Sequence, residues 1–240
     1  MYKKILDFFY PKRCPLCDSV LPLFGAEAAC EGCLDNINII HEPVCLICGK
    51  PIEQGEKEYC FDCSRKKHFF IQGKSTLIYD LTMRESIGRF KYNGRREYVD
   101  FYSEIICGLH KDWIKKIKPD ALVPVPLHIK RLRQRGFNQA EILADKIGEK
   151  LEIQVINGLL LRQKDTLPQK GLSSKDRKKN VSNAFFVPTE EFRLYHQIKC
   201  VIIIDDIYTT GSTADACAEV LKDVGVEKVY FLSICIGKDY

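Results

Sequence analysis

The sequence predicts an α/β domain built on a parallel sheet, preceded by a small cysteine-rich module. Three observations carry this expectation. Strand-like and helix-like segments alternate from residue 75 onward, the pattern of successive βαβ units. "CVIIID" at 200–205 is a continuous apolar run, as a strand buried on both faces requires. Ahead of both, eight cysteines fall in four C-x-x-C pairs.

The pairs are Cys14/Cys17, Cys30/Cys33, Cys45/Cys48 and Cys60/Cys63. Their spacing, C-x2-C-x12-C-x2-C, 11 residues, then C-x2-C-x11-C-x2-C, reads as two successive zinc ribbons. Two structural Zn²⁺ ions are therefore expected. Neither ribbon is large enough for its own core, so metal must supply folding energy. Sharing in sequence order (14/17/30/33 and 45/48/60/63) is simplest, and a crossed arrangement is the alternative. Gly49 suits a knuckle that turns backbone N–H groups toward the sulfurs. A redox role for C-x-x-C needs a strand–helix context that evenly spaced pairs lack. The remaining cysteines, Cys107, Cys200, Cys217 and Cys235, lie in apolar segments and read as small buried hydrophobes.

A chain of 240 residues accommodates a module over 1–65 and a larger domain over 66–240. The opening "MYKKILDFFYPKRC" is a poor export signal, because its apolar stretch is short and cut by Asp7. No run approaches a membrane span, so a cytoplasmic protein without membrane insertion is expected. Residues 2–10 suit a short amphipathic helix. Charge is uneven: residues 1–65 hold 7 Lys/Arg against 10 Asp/Glu, and the rest hold 30 against 22. The larger part is basic, so any nucleic acid is expected there rather than on the ribbons.

The elements follow in order. Residues 64–74 read as a link. "STLIYD" (75–80) is strand-like. Residues 82–92 and 95–110 read as helices, broken at Asn93-Gly94. "DALVPVP" (120–126) is a strand ending in prolines. Ile142, Leu143, Ile147 and Leu151 give 138–151 helical spacing. Short strands are expected near 158–162 and 184–187, then the central strand. Ala214, Cys217, Val220, Leu221 and Val224 form the buried stripe of the next helix, and "KVYFLSICI" (228–236) closes the sheet. Gly73-Lys74-Ser75 imitates the end of a phosphate loop. The glycine that motif needs five residues earlier is His68, and Phe69, Phe70 and Ile71 are too bulky for such a loop.

"IIIDDIYTTGST" (202–213) carries the chemistry. In open parallel sheets ligands sit beyond the C-terminal ends of strands. Thr209, Thr210, Ser212 and Thr213 offer hydroxyls, Gly211 permits close backbone approach, and the loop feeds a helix whose N-terminus favours an anion. Asp205 and Asp206 would repel that anion unless they address another part of the ligand. Carboxylates accept from vicinal sugar hydroxyls. A ribose 5-phosphate satisfies both halves of the stretch. Lys130, Arg131, Arg133 and Arg135 add a basic run with no acid between 127 and 140, and guanidinium forks match phosphate oxygens. In "RGFNQ", Asn138 can cap the following helix and Phe137 belongs in the core.

Four apolar residues, two acids, two more residues and T-T-G-x-T resemble the 5-phosphoribosyl 1-pyrophosphate (PRPP) motif of type I phosphoribosyltransferases. "VPVPLHIKRLRQRGFNQAEILA" and the cysteine pairs before it are similar to the ComF family (ComFC and GntX-like proteins), and the resemblance covers essentially the whole chain. It implies a type I phosphoribosyltransferase-like parallel sheet flanked by helices, with PRPP held at Asp205, Asp206, Thr209, Thr210, Gly211, Ser212 and Thr213. Pro124, Val125 and Pro126 fall where such folds place a pyrophosphate loop, Lys91 matches a family lysine, and Mg²⁺ would accompany PRPP. "RQKDTLPQKGLSSKDRKKN" (162–180), which includes Arg177, matches a flexible loop that closes over PRPP, and it would equally track a DNA backbone. The resemblance further implies a role in DNA uptake during natural transformation. The chain would then either transfer phosphoribosyl to an acceptor with release of pyrophosphate, or act without catalysis. The non-catalytic form is an adaptor that senses PRPP or holds single-stranded DNA beside a DNA translocase.

Overall fold

The computed structural model describes residues 11–22, 28–52, 58–163 and 184–237. Two short helices, α1 (Glu31–Leu34) and α2 (Phe61–Arg65), each begin directly after the first cysteine of the second and fourth pairs and carry the second cysteine of that pair. The larger domain then runs β1 (Gln72–Ile78), α3 (Leu81–Tyr92), α4 (Tyr98–Ile117), β2 (Ala121–Pro124), α5 (Ile129–Arg135) and α6 (Gln139–Leu151). It continues through β3 (Leu161–Arg162), β4 (Phe185–Phe186), α7 (Thr189–Leu194), β5 (Cys200–Tyr208), α8 (Ser212–Asp223) and β6 (Lys228–Ile236). The main sheet has the order β1-β6-β5-β2 with every pairing parallel. β3 and β4 form a separate antiparallel pair.

Strand alternation builds a core on each face. Val123, Val201, Ile203, Val229 and Phe231 point to one side, where α8 packs with Ala214, Cys217, Ala218 and Leu221. Leu77, Leu122, Ile202, Ile204 and Leu232 point to the other, under Ile87, Tyr102, Leu143 and Ile147 of α3, α4 and α6. The four scattered cysteines are buried as expected.

The two ribbons divide between these faces. Cys14, Leu16 and Leu21 belong to the α3/α4 side, whereas Cys45, Cys48, Cys60 and Cys63 belong to the α8 side. Between them the chain crosses the β1 edge. Ile39 makes an antiparallel bridge to Leu77, Ile40 N–H donates to Thr76 O at 3.0 Å, and Ile78 N–H donates to Asn38 O at 2.9 Å. An edge that would otherwise present free ladder groups is thereby covered. Gly49 is left-handed (φ +74°), and a side chain there would press to 2.9 Å from Gly73 O.

Several boundaries differ from the sequence reading. β1 begins at Gln72, so the Gly73-Lys74-Ser75 imitation lies inside a strand, and Ser75 Oγ meets Ser233 Oγ at 2.7 Å. The break at Asn93-Gly94 is present, but α4 starts at Tyr98 and runs on to Ile117 because Ile114 is buried. The basic run after β2 is a helix, α5, capped by His128 and ended by left-handed Gly136. Helix α7 was not expected. Residues 2–10 and most of the basic segment, Arg177 included, lie outside the described residues.

Candidate functional site

The C-terminal ends of β2 and β5 lie side by side, because Pro124 pairs with Ile204. Strand β5 continues through Tyr208, so Asp205 and Asp206 are strand residues rather than loop residues. Alternation sends their side chains to different layers. Asp206 meets Lys91 of α3 at 2.8 Å, and both side chains are nearly buried, at 13% and 15% exposure. Asp205 faces α8, where its charge is felt by Cys217. Burial first, then the Asp206 charge, pushes the Asp205 carboxyl up to about 7, although the Asp206 N–H donates to it at 2.8 Å. The structure thus brings Lys91 to the acid pair.

After Tyr208 the chain turns through Thr209 and Thr210 to Gly211, left-handed at φ +72°, and enters α8. Thr210 Oγ1 lies 2.9 Å from Ser212 Oγ. Gly211 is packed tightly: a Cβ there would lie 2.9 Å from Tyr208 Cζ and 3.2 Å from His68 Cε1. Only glycine meets both the dihedral and the space. The helix N-terminus and its hydroxyl rim can cradle an anion.

The β2 side is less open than the sequence implies. Pro124 and Pro126 have no N–H, and the Val125 N–H donates to Ile204 O at 2.9 Å. An anion beside this segment therefore finds no spare backbone donor on it, and must look to α5. Asn138 fixes the segment from behind, its Nδ2 donating to Val125 O at 3.0 Å while its Oδ1 accepts from Ala140 N–H at 3.1 Å. Phe137 is buried, as expected. Arg135 is committed elsewhere: it donates to Tyr92 Oη at 2.9 Å and Gln139 Oε1 at 2.8 Å, with its guanidinium 4.8 Å from the Tyr92 ring centre. Arg131 is also on α5 and half-buried.

The cysteines gather in sequence order, Cys14/Cys17/Cys30/Cys33 and Cys45/Cys48/Cys60/Cys63, with the sulfurs of each set within 4.8 Å of one another. Cys17 and Cys30 Sγ are 3.8 Å apart, and Cys48 and Cys60 Sγ 3.7 Å. Four sulfurs about 2.3 Å from a tetrahedral ion are separated by about 3.8 Å, so both sets fit structural zinc. Their surroundings split the thiols in the first set. Cys17 is lowered to about 6, first by its hydrogen bond with Ser19, while burial leads in raising Cys30 to about 11 and Cys33 to about 12. A divalent ion would hold all four as thiolates.

One group of residues was missed at the sequence level. Asp215, in the first turn of α8, accepts from Phe69 N–H at 3.1 Å and pairs with Lys66 Nζ. Both its oxygens lie 3.0 Å from His68 Nδ1, and His68 Nε2 is 3.4 Å from Cys63 Sγ. Although burial opposes ionisation of Asp215, its bonds from His68 and Lys66 hold the carboxyl below its ordinary range. The available signal was an acid set inside the buried stripe of α8.

These features define an α/β protein with an anion-ready loop at the C-terminal edge of a parallel sheet and two four-cysteine sites packed against that sheet. Residues 5–64 match the double zinc ribbon domain family. Over 224 residues the chain is 30% identical to competence protein F of Haemophilus influenzae, covering 92% of this chain and 95% of that protein. Competence protein ComFC of Bacillus subtilis is 28% identical over 88% of this chain and 89% of its own length. The DNA utilization protein YhgH of Escherichia coli is 28% identical over 94% and 97%. The chain belongs to the ComF family of competence proteins. Among solved structures, adenine phosphoribosyltransferase of Trypanosoma brucei, with AMP, pyrophosphate and ribose-5-phosphate, is a distant likeness. It has a TM-score of 0.36 and 12% identity over 58% of this chain and 67% of that one. The Leishmania donovani enzyme has a TM-score of 0.33, with coverage of 63% and 73%. Among the described residues no helix is long and apolar enough to cross a membrane.

Proposed function

We propose that the chain binds PRPP with Mg²⁺ at the end of β5 and serves DNA uptake or use. The observation that carries this reading is Gly211, held left-handed at the N-terminus of α8 inside a hydroxyl rim, five positions after Asp206, whose near-buried carboxylate is paired with Lys91. Thr209, Thr210, Ser212 and Thr213 would take the 5-phosphate. Asp206, paired with Lys91, would take the ribose hydroxyls directly or through Mg²⁺, and Asp205, on the α8 layer, would support it through the shared charge of the acid pair. Arg131, with Arg177 of the basic segment, would supply positive charge for the pyrophosphate. Competence and DNA utilization are the roles named for the relatives, and they support the cellular assignment. Calorimetry with PRPP and Mg²⁺ tests the site. Asp206→Ala and Thr213→Ala are expected to weaken binding about 10- to 150-fold, the cost of a charge-assisted bond. Equal binding by wild type and both variants removes the site. Pyrophosphate release on offering acceptors separates a phosphoribosyltransferase from a PRPP sensor.

The second reading is a cytoplasmic adaptor for single-stranded DNA beside a translocase. It is favoured by a cavity of about 300 Å³ at the opposite end of the sheet, where Lys111, Lys115, Lys118 and Lys150 outnumber the one acid of the lining, Glu152. Phosphate contacts there and on 162–180 would weaken steeply with salt. Fluorescence anisotropy of the full chain at two salt concentrations tests it. Charge reversal at Arg177, Lys178 and Lys179 is expected to reduce binding more than any change within 1–65.

A further inference from the structure

The second four-cysteine site and the anion loop share a wall. Cys63 is a ligand candidate of that site, and five residues later His68 places Nε2 3.4 Å from its sulfur. The other ring nitrogen lies 3.0 Å from both oxygens of Asp215, in the first turn of the helix that Gly211 opens. The His68 side chain is 1% exposed, so this contact is interior to the molecule. His68 Cε1 also lies 3.2 Å from where a Gly211 side chain would begin. Tyr208, the last residue of β5 before the loop, closes the same wall. Its ring stands edge-on to Phe70 at 6.3 Å and to Phe231 at 5.3 Å, all within the apolar cluster that holds Cys45, Cys48, Cys60 and Cys63.

We infer that the second metal site is a strut of the anion loop, acting through the line Cys63–His68–Asp215. His68 and Asp215 are positioning residues for the phosphate end of the ligand. The inference rests on the reading of that loop as the ribose 5-phosphate site. Two physical effects follow from the geometry. A ring fixed at both nitrogens holds α8 in one place, so the loop is ordered before the ligand arrives. An anion at a helix N-terminus is also repelled by a bare carboxylate in the first turn. Lys66 and His68 occupy that carboxylate from the ribbon side. Metal occupancy on one side of the wall therefore sets ligand affinity on the other.

The test uses the full chain loaded with zinc and ribose 5-phosphate as probe, by calorimetry. His68→Ala is expected to keep two zinc ions and to bind at least about 10-fold more weakly than wild type. His68→Gln, which keeps an N–H donor, should recover part of the loss. Substituting Co²⁺ for zinc gives a second readout that mere folding would not move. Adding ribose 5-phosphate should shift the thiolate-to-cobalt band in wild type. If His68→Ala does not fold or loses metal, that shift decides. Wild-type affinity in a zinc-loaded His68→Ala variant, or a cobalt band indifferent to ligand, overturns the strut while leaving the site intact. A wild type that does not bind ribose 5-phosphate at all sinks the site itself, and the strut with it.

Discussion

At Asp205, burial and the neighbouring Asp206 charge push the carboxyl up to about 7. The folded chain therefore binds more protons here than the unfolded chain, from about pH 4 up to about 7. In that window the stability contributed by this group falls as pH rises. Asp205→Asn should flatten part of the decline in melting temperature between pH 5 and pH 8. Parallel slopes for wild type and variant would contradict the assignment. Gly211 is equally testable. Its φ of +72° and the nearby Tyr208 and His68 rings leave no room for a methyl group. Gly211→Ala should destabilise by more than about 1 kcal/mol and weaken ligand binding, read from thermal melts and calorimetry. Residues 202–213 were legible in the sequence because a contiguous stretch carries its own chemistry. His68 and Asp215 were not, since 147 positions separate them and only folding joins them.

Among the elements, α6 is tied to β2 through one side chain. Asn138 caps it and also holds Val125 O, so the helix and the β2 segment share an anchor. Asn138→Ala should cost about 2 kcal/mol, as cap and buried bond are lost together. Asn138→Ser should keep the cap while losing the amide donor to Val125 O and Glu141 Oε1, giving a smaller loss in denaturant melts. An alanine variant as stable as wild type would show the anchor to be idle. Helices α6 and α8 could be read from their apolar stripes. Helix α5 could not, because "IKRLRQR" has no apolar period and no buried residue; its limits come from His128 and Gly136. The start of β1 was hidden similarly. Gln72, Gly73 and Lys74 lack strand character, and pairing with Tyr230, Phe231 and Leu232 of β6 makes them a strand.

At the scale of the whole molecule, the described ribbon residues share their core with the sheet. Cys45, Cys48, Cys60 and Cys63 sit in the cluster of Val201, Phe231 and Leu221, and Cys14 in that of Leu77 and Tyr102. Metal analysis should find two zinc ions per chain, and unfolding should occur in one transition that chelator lowers. Cys45→Ser should destabilise β5 and β6 along with the ribbon, seen as faster amide exchange in both; two separate transitions would argue against this. The cysteine spacing announced the metal sites, but it carried no sign that they would settle on opposite faces of one sheet. That placement has a further consequence. The crossing at residues 38–40 caps the β1 edge, and the ribbons cover apolar side chains on both sides of it. A chain cut back to 66–240 would bare a strand edge flanked by Phe70 and Leu77, the kind of surface on which other copies assemble. If the module guards that edge against assembly, metal loss should be followed by turbidity in light scattering, and a metal-free chain that stays clear would count against it.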